Sequence, residues 1–313
     1  MKERIPCIIT AGSGVPLAEW ISSQREIFDG VIRETGAVLF RGFDVTTEHH
    51  FSNIAHVWCG STLNYVYRST PRTDLGGGVY TATEYSPNLS IPFHNENAYQ
   101  REWPLRLLFF CMYPAEGGGG QTPLSDIVKV TDRIDPTIKR RFLDKNIMYV
   151  RNYRENLDIP WQTVFQTTSK AEVEAFCAEH DIQCEWTSST SLRTRQVCQS
   201  FAVHPVSGAR LWFNQAHLFH PSSLDKRSRE ALREMFEENE FPRNAIYGDG
   251  SPIEESILDE VRAAYEEEST QFEWEKGDVL VLDNMRIAHS RTPYKGKRRV
   301  LVAMSDSYSP IVK

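Results

Sequence analysis

In the segment IPFHNENAYQ, His94 and Glu96 stand two positions apart. On an extended strand such positions leave the same face, so an imidazole and a carboxylate there can reach one metal ion. A third ligand must come from elsewhere, and His289 in VLVLDNMRIAHSRTPY follows a strongly apolar stretch that reads as a strand. Two imidazoles and one carboxylate bind Fe(II) on one octahedral face and leave three positions open, which suits a bidentate 2-oxo acid and dioxygen. A structural zinc site is normally closed by four protein ligands and leaves no such face. In a chain with nine histidines an HxE pair arises easily by chance, so the reading depends on the elements around it.

Those elements are legible in outline. Residues 16–35 carry apolar positions at helical spacing and end at Gly36; AVLFRGF then reads as a strand, and 47–58 as a second helix. Further helical patterns run over 131–145, 171–180, 225–239 and 254–268, and RLLFFCMY, GDVLVLDN and RRVLVAMSDSY read as strands. SFAVHPVSGARLWFN has the pattern of a hairpin turning at PVSG. Residues 65–90, rich in Gly, Thr, Ser and Tyr, read as a lid, and 145–200 as a second insert. Strands at both ends carry the candidate chemistry, so the expected fold is mainly β with α: a double-stranded β-helix, or jelly roll, decorated by helices, with residues 1–313 forming one domain.

Composition narrows the partners. Thirty-five basic against 42 acidic residues give a net charge of −7 and no basic footprint for nucleic acid. The N-terminus lacks signal-peptide character and no apolar run is long enough to span a membrane, so a cytoplasmic protein is expected. The six cysteines are scattered without a CxxC pair and read as free thiols. Nothing indicates the oligomeric state.

FHNEN, PLRLLFFC, AEGGGGQTPLSD and GDVLVLDNMRIAHSRTPYKGKRRVLVAM follow one another as in the taurine dioxygenase and clavaminate synthase-like superfamily of Fe(II)/2-oxoglutarate oxygenases. The chain resembles that superfamily over most of its length. PRTDLGGGVYTATEYSPNLSIPFHNEN and LWFNQAHLFHP look closest to its natural-product branch, which hydroxylates amino acids, some of them tethered to carrier proteins. The resemblance implies Fe(II), 2-oxoglutarate and O2 as cofactor and co-substrates, with His94, Glu96 and His289 as metal ligands and catalytic centre. It implies Arg299 as the clamp on the distal carboxylate of 2-oxoglutarate and Thr122 as its hydrogen-bonding partner. Arg298 is the fallback, because neighbouring strand residues face opposite sides and only one of the two can point inward.

Glu96 matters in a second way, since related halogenases replace the carboxylate by a small residue to admit chloride; its presence points to oxygenation. Ala303 stands where several relatives carry an arginine for a substrate acid. Either that acid is masked, as in a carrier-protein thioester, or the anchor lies elsewhere, with Arg72 and Arg291 as candidates. Substrate contacts are expected from Arg72, Glu84, Tyr85, Asn95, Asn97, Asn214 and Gln215.

GGGGQT lacks the context of a phosphate loop, and His217 and His220 lie in a strand-then-loop segment without a carboxylate, which disfavours a second metal. The seven tryptophans are assigned to packing. The expected reaction is hydroxylation of a C–H bond with release of succinate and CO2, and a different substrate pose would give desaturation or epoxidation. A zinc hydrolase or lyase, or a non-catalytic jelly-roll binding protein, are the rival readings.

Overall fold

The computed structural model describes residues 5–310 except 13, 61, 64–66, 68, 71, 84, 155 and 156. Four long apolar strands occupy the middle of a seven-stranded sheet, in the order Ala37–Arg41, Val279–Asp283, Trp103–Tyr113 and Arg299–Tyr308. Cys7–Thr10 closes one edge, and the hairpin Asp74–Gly76/Val79–Thr81 closes the other. Their residues alternate between two cores. Leu39, Phe109, Leu280 and Val300 face inward against Leu124, Ile287 and Trp274. Phe40, Leu108, Val281 and Leu301 face outward and are covered by helices Leu17–Ser23, Arg25–Thr35 and Glu48–Cys59. Burial on both faces explains why AVLF, LLFFC and VLVL read as unbroken apolar runs.

The inner core is closed by a four-stranded sheet, in the order Ser269–Thr270, Leu124–Asp126, Ile287–Arg291 and Ile91–His94. The two sheets form the expected jelly roll. Helices make up 32% of the chain and strands 29%, the helices decorating that core. Residues 145–200 supply three strands of another sheet and Arg243–Tyr247 the fourth, in the order Arg243–Tyr247, Ile147–Tyr153, Leu192–Cys198, Gln183–Trp186. Its core reaches the back of the smaller sheet through Phe93, Met285 and Ala288.

Several boundaries differ from the periodicity. The helix expected over 16–35 breaks at Gln24, and Gly36 ends the second piece in the left-handed conformation. The one over 131–145 divides at Pro136, which starts a new helix capped by Asp135. The 65–90 segment is not all loop: Val79–Thr81 pairs with Leu301–Ala303 and widens the main sheet. PVSG does join a hairpin, Phe201–Val203 with Arg210–Trp212, but His217 follows on a short helix, Ala216–Phe219, not in a loop. Among the described residues no helix is long and apolar enough to cross a membrane.

Candidate metal centre

His94 ends the strand Ile91–His94 and lies directly opposite His289 in the antiparallel strand Ile287–Arg291. Opposed residues share a face, and the two rings stand 4.3 Å apart between centroids. Glu96 lies just past the strand end, where the chain turns and Asn97 adopts a left-handed φ of 59°. One atom each from His94, Glu96 and His289 can be chosen so that all lie within 4.8 Å of one another, and no other such group occurs among the described residues.

The protonation states suit a metal. Burial pushes the His289 imidazole well below its usual range, with His94 adding to the effect. Burial likewise lowers His94, against an opposing pull from Glu96. His94 Nδ1 lies 2.9 Å from the Pro92 carbonyl oxygen, to which it donates in the tautomer that leaves Nε2 as the coordinating atom.

A residue absent from the sequence reading fixes the third ligand's backbone. Asn284 accepts from Glu96 N–H through Oδ1 at 2.8 Å and donates through Nδ2 to the carbonyls of Glu96 at 3.0 Å and Pro104 at 2.8 Å. It lies in the turn that leads to the His289 strand, so one carboxamide ties the two ligand-bearing segments together. The segment VLVLDN held the only signal, an asparagine directly after an apolar strand.

The Glu96 carboxylate itself meets Arg72: Nη2 donates to Oε2 at 2.7 Å, with both side chains buried. Arg72 was expected to bind substrate, and here it holds the carboxylate of the candidate metal cluster. It lines one narrow cavity together with His94, His289, Thr122, Arg291 and Arg298.

Of the two adjacent arginines, the one expected as the clamp, Arg299, does not line the cavity and its neighbour Arg298 does. Arg299 points away from the cavity and pairs with Glu48 at the start of an outer helix. Arg298 enters the cavity, donates from Nε to the Gly120 carbonyl at 3.0 Å and keeps its terminal nitrogens for a ligand. Burial, with Arg291 adding repulsion, brings its pKa down to about 10. Strand alternation sets this phase: Val300, two positions on, also faces the inner core, while Leu301 faces the outer one. The same phase sends Ala303 into the outer core, so an arginine there would not face the cavity, and its absence says nothing about the substrate's acid.

The glycine run has a steric purpose. Gly120 has φ +71°, and a Cβ on it would lie 2.8 Å from Arg298 Cδ. Thr122 is buried and accepts from Trp274 Nε1 at 3.0 Å, which leaves its own hydroxyl proton to donate. Trp274 therefore does more than pack.

The remaining expected substrate contacts divide. Asn95 is fully buried and donates to the Asn284 carbonyl at 2.6 Å. Asn214 donates to Ser200 O and accepts from Ala216 N, and Gln215 donates to Asn95 O. These three hold loops together. Asn97 is half-buried in its turn and does not line the cavity. Glu84 lies outside the described residues. The Tyr85 side chain is exposed, while its carbonyl, with those of Ser86 and Leu89, accepts from Arg291. Arg291 thus ties the lid to the His289 strand and is not a free anchor. His217 Nε2 contacts the Phe93 carbonyl oxygen at 2.8 Å and His220 Nδ1 contacts the Ser222 hydroxyl, so neither joins a second metal group.

Residues 4–304 match the family described as taurine catabolism dioxygenase TauD, TfdA family. The chain belongs to the TauD/TfdA family. It is 40% identical over 303 residues to "Dapdiamide synthesis protein DdaC" of Enterobacter agglomerans, covering 97% of this chain and 92% of that one. It is 32% identical over 296 residues to the "Clavaminate synthase-like protein" of Arabidopsis thaliana, covering 91% and 86%. Among solved structures, PvcB, "an Fe, alpha-ketoglutarate dependent oxygenase from an isonitrile synthetic pathway", shares the fold with a TM-score of 0.56 at 13% identity, covering 96% of this chain and 87% of that one. TauD/TfdA enzymes use Fe(II), 2-oxoglutarate and O2, and this chain is a dioxygenase of that family. The donor set here, two neutral imidazoles and a carboxylate beside a cavity with an unused guanidinium end, fits both the metal and the keto acid.

Proposed function

We propose that the protein hydroxylates an unactivated C–H bond of an amino acid or amino-acid-derived substrate, free or tethered to a carrier protein, in specialised metabolism, with His94, Glu96 and His289 holding iron. The observation that carries this is the shared cavity in which His94 and His289, with Glu96 beside them, meet Arg298 and Thr122. The natural-product setting is supported by the relative named for dapdiamide synthesis. Six free cysteines support the cytoplasm as its compartment. Residues 1–313 act as one catalytic domain in this reading.

Bound iron and 2-oxoglutarate supply the oxidising chemistry, with dioxygen consumed and succinate and CO2 released. His94 and His289 present neutral imidazoles because burial disfavours their protonation. Arg298 would hold the distal carboxylate of 2-oxoglutarate through charge-assisted hydrogen bonds, and Thr122, oriented by Trp274, would donate another. Arg72, Arg291 and Arg298 all line the cavity, and that positive charge favours a dianionic co-substrate. Phe109, Ile91 and Val300 keep water from the reacting groups, and Arg291 holds the lid carbonyls over them.

Succinate release under air should be compared across free amino acids and carrier-bound aminoacyl thioesters, with product mass read in parallel. A gain of one oxygen in the stimulating substrate supports hydroxylation. Loss of two hydrogens, or equal unstimulated release with every substrate, counts against it.

A further inference from the structure

The carboxylate of a facial triad can hold its metal through one oxygen or through both. Three open positions are needed for a bidentate keto acid and dioxygen, and a carboxylate bound through both oxygens removes one. Glu carries one more rotatable bond than Asp, so Glu96 has more freedom to swing into that second mode. Its backbone is fixed on both sides by Asn284, which leaves side-chain torsion as the remaining freedom.

From the contact that limits this freedom, we infer that Arg72 is a positioning residue that keeps Glu96 a one-oxygen ligand and so preserves the third open position on the iron. Arg72 Nη2 sits 2.7 Å from Glu96 Oε2, while the relative exposure of the two side chains is only 3% and 4%. A guanidinium stays charged at any working pH, and in a buried setting its bond to a carboxylate oxygen is strong and directional. The contact engages Oε2, and a carboxylate oxygen held by a guanidinium is less available to a metal. Arg72 lines the same cavity as His94 and His289, so it can hold this contact with the metal in place. The inference rests on the iron site proposed above.

The test is the crystal structure of the Mn(II)-loaded protein and of its Arg72→Met variant, with anaerobic titration of 2-oxoglutarate into the Fe(II) forms, read by the visible charge-transfer absorption of the chelated keto acid. The loaded wild type should show Glu96 bound through one oxygen with Arg72 on the other. In Arg72→Met both oxygens should reach the metal, and half-saturation should need at least tenfold more 2-oxoglutarate. Arg72→Lys, which keeps one donor, should fall between. Arg72 swung away from Glu96 in the loaded wild type, or one-oxygen ligation persisting in Arg72→Met, overturns the inference. So does loss of the fold or of metal binding in both variants, which would assign Arg72 to folding alone. A wild-type protein that binds no metal at these residues instead overturns the site reading itself.

Discussion

His94 and His289 are direct cross-strand partners, and their rings lie 4.3 Å apart between centroids on the face of the smaller sheet that looks into the cavity. Neither imidazole can be replaced from a neighbouring position, because the next residue along either strand faces the other way. His289→Ala should therefore reduce Fe(II) or Mn(II) affinity by at least a hundredfold while leaving the melting temperature of the metal-free protein within a few degrees. Isothermal titration with Mn(II) and a thermal melt read the two effects.

Arg298 and Arg299 offer a paired experiment. Arg298→Ala removes a guanidinium that shares the cavity with Thr122, at a cost of about 2–3 kcal/mol, or roughly 30- to 150-fold in the Kd of 2-oxoglutarate. Arg299→Ala breaks a half-exposed pair with Glu48 and should change that Kd by less than about threefold. The opposite ranking in a charge-transfer titration would restore Arg299 as the clamp.

Trp274 should reveal itself through the co-substrate. Trp274→Phe keeps most of the packing but removes the donor to Thr122. A lost neutral hydrogen bond is worth about 1 kcal/mol, so 2-oxoglutarate affinity should fall about fivefold. Thr122→Val should give a similar loss, and the double variant should lose little more than either alone, because both act through one hydroxyl.

Acid stability follows from His217. Burial, its largest cause, brings the pKa from 6.5 down to about 4, and the ring lies against the Phe93 carbonyl and the Tyr265 ring. The unfolded chain takes up a proton below pH 6.5 that the folded chain refuses until about pH 4. Stability is therefore lost as pH falls through this window, by about 2 kcal/mol between pH 7 and pH 5 from this residue. Urea melts at the two pH values should show a smaller difference in His217→Gln than in the wild type. An equal difference would place the acid lability elsewhere, with His220, also lowered to about 4 by burial, as the next residue to test.

The family and the trio proposed to hold the metal were legible in the chain itself. HxE on a strand carries its own geometry, since residues two apart share a face, and the apolar run before His289 identifies the partner strand. Apolar periodicity likewise showed most helices and the central strands, because burial demands it. What the sequence left open were matters of phase and pairing between distant segments. Arg298 and Arg299 are adjacent and chemically identical, and which one enters the cavity depends on the face that Val300 and Leu301 take between the two cores, which a strand apolar on both faces does not show. Arg72 read as a substrate anchor because nothing local shows that its partner is Glu96, across a lid whose path depends on the whole barrel. Asn284 and Trp274 were silent for the same reason: a side chain's hydrogen-bonding partner is set by the packing of segments far apart in sequence, which residue type and spacing do not encode.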